Sequence, residues 1–189
     1  MKFFVAAVLI TCCLSSSSQE LKINDMVSLL DKSTEQFNKE FWKSVSLFES
    51  FKKPMEVLDQ ELLKYGFEFN NFDAEEGRYD EVDLRYLKRS GTYNEFKFTV
   101  QADENNSLFY SFKDIAQWAK LKNEIEDTGG KYLKTKSDTI RVPGMSNISL
   151  DTLYSFKDKT ITLSESKYLM PGSVGKPGYY VWVRYTNLK

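Results

Sequence analysis

Three side chains near the C-terminus have the types and the spacing that could hold a ring-shaped polar ligand. Tyr180, Trp182 and Arg184 alternate within the run 179–186, which is typical of a β-strand. Alternate residues of a strand point to one face of a sheet, so these three share a face and the residues between them form the better core face. Two aromatic rings beside a guanidinium suit stacking on a sugar ring or a planar ligand, with Arg184 holding a polar group.

The same stretch, residues 178–187, resembles a strand of carbohydrate-binding β-sandwich modules. The resemblance implies a glycan ligand. The alternative is that the N-terminal helices cover this face and bury Trp182. We expect the covered arrangement, in which Arg184 would need a carboxylate partner from the first helix, because an unpaired buried charge is costly.

A second candidate group consists of clustered carboxylates. They are Asp73, Glu75, Glu76, Asp80, Glu81 and Asp83. Close carboxylates can bind calcium or act as a general acid and base. Their spacing does not match the alternating ligands of an EF-hand loop. We interpret the segment 73–83 as a solvated acidic loop, with calcium binding as the alternative.

Two sequons for N-glycosylation begin at Asn105 and Asn147. Neither has Pro at the middle position, and both fall in predicted turns, where a transferase can reach the backbone. We expect modification of at least one of them in a eukaryotic host.

The N-terminal third predicts a Phe-rich amphipathic helix over 21–53. Its apolar stripe includes Phe37, Phe41 and Phe48. Such a helix can enter a membrane interface, but membrane-active helices usually carry a Lys excess, and here the charges nearly cancel. We interpret the stripe as a packing surface and keep membrane insertion as the alternative.

Composition excludes several classes of function. The 189 residues contain no histidine, and the two cysteines are Cys12 and Cys13. Without histidine there is no Ser-His-Asp triad, no Cys-His nucleophile and no His-ligated zinc or haem. A net charge of −1 argues against a general nucleic-acid binder. We expect no cofactor and no metal.

Residues 1–19 have the order of regions found in a secretory signal peptide. Lys2 precedes an apolar run over 3–14, and serines follow at 15–18. An apolar run of about a dozen residues is short of the roughly 20 that span a bilayer, although an uncleaved anchor is the alternative. Cleavage near Ser18 to Glu20 would remove both cysteines and place the chain outside the cell.

The elements that must position these residues indicate an α+β class: an N-terminal amphipathic helix pair, then a mainly antiparallel sheet with one further helix. Pro54 is expected to end the first helix and begin the second, over 55–65. The predicted strands are 82–86, 96–100, 108–112, two short strands within 131–142, the hairpin 148–156 and 160–163, and 179–186, with a helix over 115–125. Residues 20–189 are expected to form one domain, with a candidate seam near 66–77.

These features favour a secreted, non-catalytic protein that binds a protein, a glycan or a cell surface. The alternatives are a membrane-active secreted effector that uses the Phe-rich helix, and a hydrolase that uses carboxylates alone. The first interpretation follows from the export segment, the balanced charge and the lack of a nucleophile motif.

Overall fold

A computed structural model describes residues 20–37, 47–73, 81–88, 94–101, 105–143, 145–170, 173–175 and 177–186. Within them lie three helices, α1 (Ile23–Gln36), α2 (Leu47–Leu63) and α3 (Ile115–Asp127). The strands are β1 (Phe67–Asp73), β2 (Glu81–Lys88), β3 (Glu95–Gln101), β4 (Ser107–Phe112), β5 (Lys131–Val142), β6 (Met145–Phe156), β7 (Lys159–Met170), β8 (Ser173–Val174) and β9 (Gly178–Tyr185). The predicted α+β class is confirmed.

All strands pair antiparallel in one sheet. Its order is β1-β2-β3-β4-β9-β7-β6-β5, and the short β8 pairs with the end of β7. The last strand, β9, therefore lies in the middle of the sheet, between β4 and β7. This place makes β9 the element that joins the two halves of the sheet.

One face of the sheet, here called the inner face, is buried under the helices. In-register neighbours on it include Phe96, Tyr110 and Val181, all at most 1% exposed. The apolar residues that the helices bury against this core are Ile23, Met26, Val27, Leu29, Leu30, Leu58, Leu62, Leu121 and Ile125. Each fully buried side chain of this size stabilises the fold by roughly 1.5–3 kcal/mol.

Backbone donors at the start of α1 are satisfied by carboxylates. The Lys22 N–H donates to Asp25 at 3.1 Å, and the Ile23 N–H donates to Glu124 of α3 at 3.0 Å. Free N–H groups at a helix start need such partners. The contact from Glu124 also ties α1 to α3.

The first helix and the role of Pro54 differ from the sequence prediction. α1 ends at Gln36, residues 38–46 lie outside the described residues, and Pro54 lies inside α2 rather than ending a helix. A proline within a helix costs about 3 kcal/mol. Tertiary packing through the buried Leu58 and Leu62 stabilises α2 despite that cost.

The strands differ from the prediction at two places. β1 was not predicted, since it lies almost entirely before the segment 73–83 interpreted as an acidic loop, and its pairing with β2 has a register shift between Phe69 and Asn71. β5 is a single strand rather than two, because pairing with β6 along its length overrides the turn-forming Ser137 and Asp138. The candidate seam at 66–77 coincides with β1, and residues 74–77 lie outside the described part of the chain.

The Phe-rich segment is described only in part. Phe37 is completely buried, and Phe41 lies outside the described residues. None of the described helices is long and apolar enough to cross a bilayer.

Candidate functional site on the outer face of the sheet

The outer face of the sheet, opposite the helices, carries Tyr180, Trp182 and Arg184. Trp182 is 43% exposed, and Arg184 is also exposed. The expectation that the helices bury Trp182 was wrong. α1 contacts β9 from the other side, where Val181 and Val183 are completely buried.

Aromatic rings on β4 and β9 form a row on this face. Phe109 pairs in register with Trp182, and its ring stacks on Tyr180 with centroids 5.3 Å apart and planes 28° apart. The Arg184 guanidinium lies 5.3 Å from the centroid of the Trp182 ring, within range of a cation–π contact. Phe109 was not predicted as a site residue, although its position in the predicted strand 108–112, opposite in face to Leu108 and Tyr110, could have identified it.

Gly178 makes room for Tyr180 in this row. A Cβ atom at residue 178 would lie 3.0 Å from the Tyr180 hydroxyl oxygen and 3.4 Å from Cζ. A larger residue would therefore press on the end of the ring. The absence of a side chain at Gly178 lets the Tyr180 ring fold back along β9.

Beside the aromatic row lies an open trough, here called the aromatic trough, with a volume of about 330 Å³. Its lining residues are Phe109, Tyr180 and Trp182 from β4 and β9, Thr162, Ser164 and Ser166 from β7, and Asn147, Ser149 and Asp151 from β6. One wall is thus aromatic, and the rest carries hydroxyl, amide and carboxylate groups. This combination can stack on a ring and bond to its substituents.

Hydrogen bonds within the trough hold its polar side chains in place. Ser164 donates to Asp151 at 2.6 Å, and Ser166 donates to Asn147 at 2.7 Å. The Lys136 ammonium of β5 lies 3.5 Å from the other Asp151 oxygen. Side chains fixed in this way lose less conformational entropy when a ligand binds.

The polar wall follows from a simple pattern in β7. Residues Thr160, Thr162, Ser164 and Ser166 alternate with inward residues, of which Ile161 and Leu163 are completely buried. The sequence analysis recognised a strand at 160–163 but not this row of hydroxyls. The regular alternation of Thr and Ser was the available signal.

Trp182 also borders a second trough of about 450 Å³, toward β3. This charged trough is lined by Glu81, Lys97, Thr99, Gln101, Asn105, Ser107, Trp182, Arg184 and Tyr185. Lys97 pairs with Asp83 at 2.9 Å. Arg184 has no acidic partner among the described residues, so the expected ion pair with the first helix is not present there.

Only two members of the acidic cluster have described side chains. Glu81 accepts a hydrogen bond from Gln101, and Asp83 accepts from Lys97 and Thr99. Residues 74–80 lie outside the described part. Among the described residues, no group of three or more His, Cys, Asp or Glu side chains is placed to hold a metal ion.

The two sequons occupy different environments. Asn105 is exposed in the connection between β3 and β4. Asn147 lies within β6 rather than in the predicted turn, and its side chain lines the aromatic trough. Pairing of β6 with both β5 and β7 over this stretch is the reason that no turn forms.

Most of the shifted pKa values among the described residues lie on the helix-covered face, although burial also raises the pKa of Tyr185 at the edge of the charged trough. Burial raises the pKa of Tyr110 to about 12, while a hydrogen bond with Gln117 opposes the shift. Burial also raises the pKa of Asp59, which lies on α2. A tyrosine that stays protonated in this way serves the core as a buried, hydrogen-bonded ring.

Comparison of the chain with protein-family models, curated proteins and solved structures gave no significant match. The interpretation of the outer face therefore depends on its own geometry.

Proposed function

We propose that this chain is a secreted, non-catalytic binding protein that holds a saccharide on the outer face of its sheet. The observation that carries the proposal is the exposure of Trp182, 43%, in an aromatic row beside a polar trough. Exposed aromatic surface rimmed by polar groups is typical of a binding site. Secretion is supported by the signal-like sequence of residues 1–19.

A pyranose ring matches the chemistry of the aromatic trough. Its apolar C–H face would stack on Trp182, as other apolar groups do on aromatic rings. Its hydroxyls would reach Ser149 and Asp151, and a bond to a carboxylate is among the stronger hydrogen bonds. Arg184, which lacks an acidic partner among the described residues, would hold a polar or acidic substituent on the far side of Trp182.

The trough favours binding over hydrolysis. Asp151 is the one carboxylate among its described lining residues, and it is engaged by Ser164 and Lys136. Glycoside hydrolysis ordinarily uses two carboxyl groups that flank the scissile bond. The carboxylate-only hydrolase is therefore the weaker proposal for this site.

Membrane insertion by the Phe-rich segment is also less well supported. The side chain of Phe37 is completely buried in the core, so it would have to leave the fold to enter a bilayer. A buried phenylalanine contributes roughly 3–5 kcal/mol to stability when compared with alanine.

The test is a screen of the mature protein against an array of neutral and acidic oligosaccharides, followed by calorimetric titration of the best ligand. We expect Trp182→Ala to weaken binding by at least about tenfold, since a buried aromatic contact often contributes 1.4 kcal/mol or more. Tyr132→Ala is the matched control, because Tyr132 is an exposed aromatic residue of β5, away from the trough. Equal binding by wild type and Trp182→Ala would overturn the proposal, as would the lack of any oligosaccharide ligand.

A further inference from the structure

The strand β5 forms one edge of the sheet and is unusually open. Among the described residues it pairs on one side only, with β6, over its whole length from Lys131 to Val142. All side chains from Lys131 to Arg141 are exposed. An edge strand of 12 residues presents unpaired backbone N–H and C=O groups, which can pair with another extended chain.

The outer side of this edge is positively charged. Lys134, Lys136 and Asp138 lie on the outer face, in register with Leu153, Asp151 and Ser149 of β6. Lys131, in register with Ser155, lies on the same face. Over the whole strand, Lys131, Lys134, Lys136 and Arg141 outnumber the single acidic residue, Asp138. Lys136 is already paired with Asp151. A strand added beside β5 would therefore be stabilised by acidic side chains opposite Lys131 and Lys134.

The inner side of the same edge carries short side chains only in its middle, between Tyr132 and Arg141, and exposed apolar residues of β6 lie behind them. Ser137 and Thr139 face Leu150 and Ile148 of β6, which are 48% and 38% exposed. The described parts of the helices do not cover these two residues. An apolar side chain on an added strand could reach them over the short Ser137 and Thr139 side chains.

We propose that the β5 edge binds an extended peptide segment in which acidic residues alternate with apolar ones. The segment adds a strand to the sheet, with its acidic side chains on the outer face and its apolar side chains on the inner face. Main-chain hydrogen bonds provide the affinity, and the alternation of faces provides the specificity. This surface is separate from the proposed saccharide site, whose ligand would contact Trp182.

Charge identifies a foreign segment rather than a second copy as the occupant. Pairing β5 with β5 of another copy would set strands with four cationic residues and one acidic residue against each other. Like charges placed opposite one another destabilise a strand pair. Lysines on an edge strand are a common protection against such self-association.

The experiment measures binding of a fluorescent octapeptide of alternating Glu and Val to the mature protein by anisotropy. One comparison peptide has the same composition in two blocks, and another is the alternating peptide with N-methyl groups along both edges. We expect at least tenfold weaker binding of the block peptide, because it cannot place acidic and apolar residues on separate faces. The N-methylated peptide should lose binding, because it cannot donate hydrogen bonds to β5.

Protein variants complete the test. Lys134→Glu should weaken binding of the alternating peptide by about fivefold, the effect of replacing an attractive cross-strand pair by a repulsive one. Lys120→Glu, an equal charge change at an exposed position of α3, should leave binding unchanged. Lys136 is kept, because it pairs with Asp151 in the aromatic trough.

Several results would overturn the proposal. They are equal binding of the alternating and N-methylated peptides, the lack of binding by any of these peptides, and an equal effect of Lys134→Glu and Lys120→Glu. Sedimentation of the protein without peptide gives a further contradicting result. If the wild type is a dimer and Lys134→Glu is a monomer, the occupant of the β5 edge is a second copy of the chain. Trp182→Ala should weaken saccharide binding and leave peptide binding unchanged. Each of the two proposals can therefore be disproved without affecting the other.

Discussion

The ammonium group of Lys159 lies 2.9 Å from the carboxylate of Asp31, although Lys159 is only 1% exposed and Asp31 is half exposed. A second carboxylate, that of Asp158, lies 2.7 Å from the same nitrogen. The Tyr185 hydroxyl donates to Asp31 at 2.7 Å, and the Tyr185 ring lies 4.0 Å from the ammonium. This cluster fastens α1 to β7 and β9 where the sheet meets solvent.

Asp31→Asn should destabilise the protein by about 1–2 kcal/mol. The substitution removes one of the two carboxylates that pair with the buried Lys159 ammonium. The expected loss of unfolding free energy is at the lower end of the range for a charged hydrogen bond, because Asp31 is half exposed. Urea denaturation measures the change. Asp127→Asn, at the exposed end of α3, is the matched control and should cost less than about 0.5 kcal/mol. Equal losses in the two variants would show that the cluster does not stabilise the fold.

Asp158 should make stability depend on pH in the acid range. The Lys159 ammonium, through a hydrogen bond, holds the pKa of Asp158 below its ordinary value of 3.8. The folded state then binds fewer protons than the unfolded state, so the contribution is complete above pH 3.8 and is lost as the pH falls through the lower folded pKa. Asp158→Asn should reduce the difference in unfolding free energy between about pH 6 and about pH 2. An unchanged pH profile would contradict this assignment.

Trp182→Ala should have little effect on folding, in contrast to Val183→Ala on the other side of β9. Trp182 is 43% exposed, whereas Val183 is completely buried. We expect a loss below about 1 kcal/mol for the first variant and about 2 kcal/mol for the second, from lost burial and the cavity left behind. Chemical denaturation followed by circular dichroism compares them. A larger loss for Trp182→Ala would mean that the outer face is covered in solution.

Asn105 should be glycosylated in preference to Asn147 when the protein is secreted from a eukaryotic host. Asn105 is exposed between two strands, whereas Asn147 is held by Ser166 inside β6. Mass spectrometry of glycopeptides measures occupancy, with Asn105→Gln and Asn147→Gln as paired variants. Full occupancy of Asn147 would contradict the prediction and would also block the aromatic trough.

The secreted chain should begin between Ser18 and Leu21 and carry no free thiol. The order of charged, apolar and small residues in 1–19 sets the cleavage region, and both cysteines precede it. N-terminal sequencing and a thiol reagent applied to the secreted product test this. A product that reacts with the reagent would contradict the prediction.

Local patterns in the sequence determined much of the secondary structure. The spacing of Ile115, Trp118, Leu121 and Ile125 predicted α3, and strict alternation predicted β2 and β3. Short runs rich in aromatic and apolar residues predicted β4 and β9. Alternation along β9 placed Tyr180, Trp182 and Arg184 on one face, because the period of a strand fixes which residues point together. β1 was not predicted, and the beginning of α2 was placed at residue 55 instead of Leu47, since pairing and packing with distant segments decided both.

Which face the helices cover was decided only by the tertiary structure. Both faces of β9 carry large aromatic residues, so its own sequence supports either arrangement. The choice follows from its neighbours: β4 and β7 present Tyr110 and Leu163 beside Val181, and Ser111 and Ser164 beside Tyr180. These pairings join residues between 16 and 71 positions apart in the chain. The helices cover the face on which all three strands are apolar, because burial there removes the most apolar surface from water.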